Sequence, residues 1–137
     1  MPYEEEDLRW GEPDSVSNAL AKTVIGAAIE VHRRLGPGLD ERLYEAAMAV
    51  ELTARGIPFE RQVNVPVIYK GQAIGDKRLD FIVDGRLVLE LKAVDNLAAL
   101  HQAQLRTYLR ITNIALGLLI NFNVALLKDG LKRVINH

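Results

Sequence analysis

Residues 78–92 read Arg78-Leu79-Asp80-Phe81-Ile82-Val83-Asp84-Gly85-Arg86-Leu87-Val88-Leu89-Glu90-Leu91-Lys92. Two aliphatic, β-branched runs flank Asp84-Gly85, the pattern of a β-hairpin. Side chains two apart on a strand share a face. Glu90 and Lys92 therefore point one way, while Leu89 and Leu91 point the other way, into a core. These residues alone would also describe an edge strand whose two charges meet water. Asp80 shifts the balance, because a carboxylate within an apolar run is costly unless it is paired or bound to a cation. Asp80, Glu90 and Lys92 place two anionic oxygen donors and one cation on adjacent strands. Phosphodiester hydrolysis uses such a set. Carboxylates hold a divalent ion that polarises the phosphate and lowers the pKa of a bound water, and a lysine steadies the developing charge.

This reading sets a condition on register. In a two-residue Asp84-Gly85 turn, Asp80 would oppose Leu89 and Glu90 would turn to the other face. The site requires an odd-length connection or a bulge. A three-residue connection is expected, with Gly85 or Arg86 in an unusual backbone conformation.

Working outward, residues 61–69 alternate, with Val63, Val65 and Val67 on one side, and Lys70-Gly71 is a turn before a strand over 73–83. The third strand spans 87–93. Upstream, Asp14 and Ser15 offer an N-cap, and Val16, Leu20, Val24, Ala27, Ala28, Val31 and Leu35 follow at helical spacing. Gly36-Pro37-Gly38 ends that helix. A second helix is expected over about 39–55, with Leu39, Leu43, Ala46, Ala47, Val50 and Leu52 as its apolar face and Gly56 beyond it. Helical period returns over 97–110. Residues 115–120 are solidly apolar, as in a strand buried on both faces, and a short strand over 131–135 closes the order ααβββαβ(β).

The chain has 137 residues, enough for one domain, and no cysteine, so disulfides and thiolate metal sites are excluded. A metal would be held by oxygen ligands or histidine, which points to Mg²⁺ or Mn²⁺. No segment is apolar enough to span a bilayer or to serve as a signal peptide, so a cytoplasmic protein without a membrane partner is expected. Residues 1–14 set six acids against Arg9, net −5, and read as an acidic mobile tail. The remainder, residues 15–137, carries 16 Lys/Arg and 12 Asp/Glu, net +4. A mildly basic body is compatible with a polyanion partner without requiring one.

Asp80 followed by Glu90-Leu91-Lys92 resembles the signature of the PD-(D/E)XK nuclease superfamily, with the proline-aspartate part reduced to Leu79-Asp80. Gly38-Leu39-Asp40-Glu41-Arg42-Leu43-Tyr44 resembles the motif that names the GxxExxY family within it. Glu30-Val31-His32 before Leu35-Gly36-Pro37-Gly38, and Leu119-Ile120-Asn121-Phe122-Asn123, fit the same pattern. The resemblance spans about residues 17–135. It implies a restriction-endonuclease-like αβββαβ core of mixed α/β class, a central mixed sheet flanked by helices, with an extra N-terminal helix. Gly38…Glu41 and Gln104…Tyr108 are similar to two further motifs of RecB-like exonucleases. By that similarity Glu41 is a third metal ligand, while Gln104 and Tyr108, sharing a helix face, contact the substrate phosphate or Lys92.

Other residues have two readings each. Glu45, one turn after Glu41, is a site group or a solvated helix charge. Tyr44 reads more as a packing or orienting residue than as a catalyst. His32 is a site hydrogen-bonder or a helix-terminal structural histidine. Arg42, Lys77, Arg78 and Arg106 form the pool for phosphate contacts. The implied activity is a Mg²⁺- or Mn²⁺-dependent phosphodiesterase acting on nucleic acid, DNA more than RNA, exonuclease-like and with little sequence specificity. The rival is a non-catalytic nucleic-acid-binding or assembly subunit on the same fold. Oligomeric state stays open, a homodimer included.

Overall fold

A computed structural model describes residues 12–136. Helix α1 spans Ser15–Leu35. Asp14 caps it by accepting the amide of Ser17 at 2.8 Å, which satisfies one of the helix's unpaired N-terminal amides. Helix α2 spans Glu41–Ala54. Strands β1, Phe59–Tyr69, β2, Gln72–Val83, and β3, Leu87–Lys92, follow. Helix α3 is Ala99–Thr112 and β4 is Leu116–Asn121. A 3₁₀ turn at Leu127–Gly130 leads into β5, Leu131–Ile135. Among the described residues the strands form one sheet in the order β1-β2-β3-β4-β5. Every pairing is antiparallel except β3 with β4, which run parallel. The α3 crossover between β3 and β4 makes that parallel pair possible.

The centre of the sheet, β3 and β4, is buried on both faces. Ala21, Val24, Ala28 and Val31 of α1, with Tyr44, Met48 and Leu52 of α2, pack on Phe81, Leu89, Leu91, Leu118 and Ile120. On the other face Leu105 and Leu109 of α3 pack on Val88, Leu119 and Val134. Each buried Val, Leu, Ile, Met or Phe among them contributes about 1.5–3 kcal/mol.

The element order and nearly all boundaries match the sequence reading, but the buried stripe of α2 does not. Of the expected face, Leu52 is buried and Ala47 is half-buried against the core, but Leu39, Leu43, Ala46 and Val50 are exposed, and Tyr44 and Met48 take the buried stripe with Leu52. The reason is Tyr44, whose ring stacks on Phe122 at 4.5 Å with an interplanar angle of 7°. An aromatic body with a satisfied hydroxyl outweighs the leucines beside it. Val16 and Leu35, at the ends of α1, are also exposed. The expected acidic tail lies outside the described residues up to Gly11. Its last three residues lie against the body: Pro13 is buried, and Glu12 pairs with Arg133 at 2.5 Å.

Candidate active site

The connection between β2 and β3 has three residues. Val83 pairs with Leu87 and Phe81 with Leu89, and the amide of Arg86 donates to the carbonyl of Val83 at 3.0 Å. The left-handed residues are Asp84, φ 50°, and Gly85, φ 63°. Gly85 was expected there, but its partner is Asp84 rather than Arg86, in keeping with the tolerance of Asp for this region. This odd count gives Asp80 and Glu90 the facing register that the site requires.

At that level the backbone ladder stops and the carboxylates replace it. The amide of Asp80 donates to Glu90 Oε1 at 3.0 Å, and the amide of Leu91 donates to Asp80 Oδ2 at 2.8 Å. The cause is a break in side-chain alternation. Phe81 packs with the α1/α2 face, yet Leu79, two residues earlier, packs with the α3 face. Opposite Asp80, Gln62 of β1 has φ 53°. The hairpin rolls over at this point, as strands do where an irregularity raises the local twist. Period-two reasoning treats β2 as one continuous strand and gives no sign of the roll.

Val88 belongs to the α3 cluster, so Glu90 and Lys92 share that side of β3, while Leu89 and Leu91 enter the opposite core. Glu90 is only 8% exposed. Burial pushes its carboxyl up from 4.5 to about 8, and the charge of Asp80 adds to the rise. The Asp80 amide and Lys92 act against it. Burial also raises Asp80, helped by Glu45 and opposed by the Leu91 amide, Lys92 and a hydrogen bond shared with Glu90. Two carboxyl groups this close resist ionising together, so the pair keeps a proton to higher pH than either would alone.

Glu41 opens α2 and is exposed. Its carboxyl is raised by partial desolvation and by the charges of Asp80 and Glu45, and lowered by Lys92. Helix α2 thus brings a third carboxylate into electrostatic contact with Asp80 and with Lys92. Glu45 is half-buried and paired: Arg61 Nε lies 2.8 Å from it and Gln62 bonds its other oxygen. Among the described residues no three acidic or imidazole groups converge on one point as they stand. The donor set nevertheless fits a hard cation. It is all oxygen, it carries excess negative charge in a desolvated position, and it holds a proton where a cation can take its place.

The other expected site residues make the following contacts. Tyr44 donates to the carbonyl of Gly36 at 2.5 Å and accepts the amide of Leu39 at 3.2 Å, fixing the loop that leads to Glu41. His32 Nε2 meets the carbonyl of Val124 at 2.8 Å. Gln104 and Tyr108 are half-buried on α3, and neither is hydrogen-bonded to Lys92 among the described residues. Lys77 lies over the Tyr108 ring at 5.6 Å. Arg42 is exposed and pairs with Asp40 at 3.6 Å, and Arg78 is also exposed. Arg106 keeps a buried Nε with no hydrogen-bond partner among the described residues.

Sequence reasoning assigns Asn121 no chemistry, only a capping or turning role. It is buried beside Lys92 as that residue's partner in the β3–β4 ladder. Its side chain donates to the carbonyl of Val94 at 2.8 Å and accepts the Val94 amide at 3.0 Å. Asn121 therefore holds the chain that leaves Lys92. The available signal was a polar residue ending a strand buried on both faces.

No curated protein and no solved structure matches the chain. A family profile does. It covers residues 18–134, from α1 through β5, and includes Asp80, Glu90 and Lys92, so the chain belongs to the PD-(D/E)XK nuclease superfamily.

Proposed function

We propose that the chain is a divalent-cation-dependent phosphodiesterase that cleaves nucleic acid, DNA in preference to RNA, in an exonuclease-like manner. The observation that carries this is the facing pair of half-buried Asp80 and buried Glu90 at the point where β2 and β3 part, with Lys92 on the same side as Glu90. Asp80 and Glu90, with Glu41, would hold Mg²⁺ or Mn²⁺. When bound, such an ion polarises the scissile phosphate and makes a water nucleophilic at neutral pH.

The chain's own contribution is placement and charge. Burial keeps the site's dielectric low, so charges there act more strongly than in water. Lys92 orients the attacking water and stabilises the negative charge that builds on the phosphoryl oxygens. Tyr44 and Asn121 are positioning residues, for the Glu41 loop and the Lys92 strand respectively. Gln104 and Tyr108 steady the substrate phosphate. Arg42, Lys77, Arg78 and Arg106 supply the phosphate-binding charge. Glu45 tunes Asp80 by its charge, and His32 serves the fold. The GxxExxY-like motif at residues 38–44 supports assigning the chain to that branch of the superfamily. The described residues add no module that reads base edges, in line with low sequence specificity.

The test is cleavage of end-labelled single- and double-stranded DNA and RNA with Mg²⁺, Mn²⁺ or EDTA. Cation-dependent cleavage, lost in Asp80→Asn, supports the proposal. Tight binding with no cleavage under any divalent ion would decide for a non-catalytic binding subunit.

A further inference from the structure

The β1–β2 hairpin reaches well past the site. Strand β3 pairs with β2 only over residues 81–83, so residues 63–79 form an arm beyond the roll at Gln62 and Asp80. Lys70, φ 49°, and Gly71, φ 78°, turn the tip. Val67 pairs with Gly75 and Ile68 with Ala73, which leaves Ile74 bulged out of the ladder. The tip exposes Ile68 at 58%, Tyr69 at 60% and Ile74 at 65%. The ammonium of Lys70 lies 5.5 Å from the Tyr69 ring centre. Along the arm Lys70, Lys77 and Arg78 stand against Asp76 alone. At its base, Lys77 over Tyr108 ties the arm to α3.

An exposed aromatic beside cations matches one ligand chemistry closely: unpaired nucleotides, whose bases stack on the ring while their phosphates meet the cations. A duplex keeps its bases stacked inside and offers the arm mainly phosphate. A second copy of the chain fits poorly. Pro66 removes an amide from the β1 edge, and Lys70 charges the tip, two features that oppose strand-to-strand pairing.

We propose that the arm's tip is a landing for single-stranded nucleic acid, with Tyr69 as the stacking platform, so that substrate reaches the Asp80–Glu90 site as an unpaired strand. This rests on the nuclease reading and names its substrate class.

The test is fluorescence anisotropy in EDTA with a labelled single-stranded oligonucleotide and the corresponding blunt duplex. Tyr69→Ala should weaken single-strand binding about tenfold and change duplex binding by less than about twofold, while Tyr69→Phe stays near wild type. Circular dichroism confirms the fold of each variant. Equal losses on both ligands, or no loss on the single strand, would overturn the inference. So would a wild-type dimer in sedimentation that Tyr69→Ala dissociates. If the wild type cleaves yet Tyr69→Ala leaves strand preference unchanged, this inference alone fails. If the wild type neither binds nor cleaves, the nuclease reading fails with it.

Discussion

At Glu90, stability and function make opposite demands. Burial next to Asp80 raises the carboxyl to about 8 against an ordinary 4.5. Below 4.5 the group is protonated in both folded and unfolded chains, so it costs nothing. As pH rises toward 8, the unfolded chain ionises while the folded chain keeps its proton, so folding stability falls across that window. Asp80 and Glu41 are displaced in the same direction. The cation-free protein should therefore melt at progressively lower temperature between these pH limits. Glu90→Gln should flatten that dependence and melt above wild type at the alkaline end. Scanning calorimetry in EDTA checks both, and a wild-type melting temperature that rises with pH would refute the argument.

Lys92 is tested kinetically. A lysine that acts mainly on the transition state lowers turnover when removed, with little change in substrate affinity. Lys92→Ala should cost about 10²-fold in turnover, roughly 2.7 kcal/mol, while binding measured in EDTA shifts only slightly. Lys92→Arg keeps the charge but not the compact ammonium, and should stay impaired. An unimpaired Lys92→Arg, with Lys92→Ala losing only affinity, would reduce Lys92 to one phosphate contact among several.

At the scale of elements, much depends on the junction where β4 ends and the 3₁₀ turn packs. A Cβ at Gly130 would lie 2.1 Å from the carbonyl oxygen of Asn121. That neighbour is backbone and cannot rotate aside. Gly130→Ala should push the turn away from β4, destabilise by on the order of 3 kcal/mol, and slow cleavage through the displaced Asn121–Val94 bonds. Urea denaturation and initial rates check this, and a variant within experimental error of wild type in both would contradict it. The junction also marks where the sequence stops being legible. The hairpin and the Glu90–Lys92 face follow from period two and turn chemistry, and the odd-length connection follows from requiring Asp80 to face Glu90, since Asp84-Gly85 alone suggests a two-residue turn. The turn at Leu127–Gly130 has no periodic signature. The roll at Gln62 uses a residue with no preference for positive φ. The buried face of α2 is set by a distant partner, Phe122, that no helical wheel contains.

At the scale of the whole molecule, the site joins parts that are remote in sequence: α2 through Glu41, β2 through Asp80, and β3 through Glu90 and Lys92. Without a cation their carboxylates share a proton and repel one another, so the three elements meet under electrostatic strain. A divalent ion that displaces the proton binds the folded arrangement and not the unfolded chain, and stabilises it by mass action, about 2.7 kcal/mol at one hundred times Kd. Mg²⁺ or Mn²⁺ should therefore raise the melting temperature of the wild type and leave Asp80→Asn unchanged. Because both carboxyls keep their protons to higher pH than free ones, binding should release protons and tighten as pH rises. Titration calorimetry in two buffers of different ionisation enthalpy measures that release directly. Binding without proton release would mean that the ion sits elsewhere. No thermal shift with either ion at millimolar concentration would remove the site's claim to a cation.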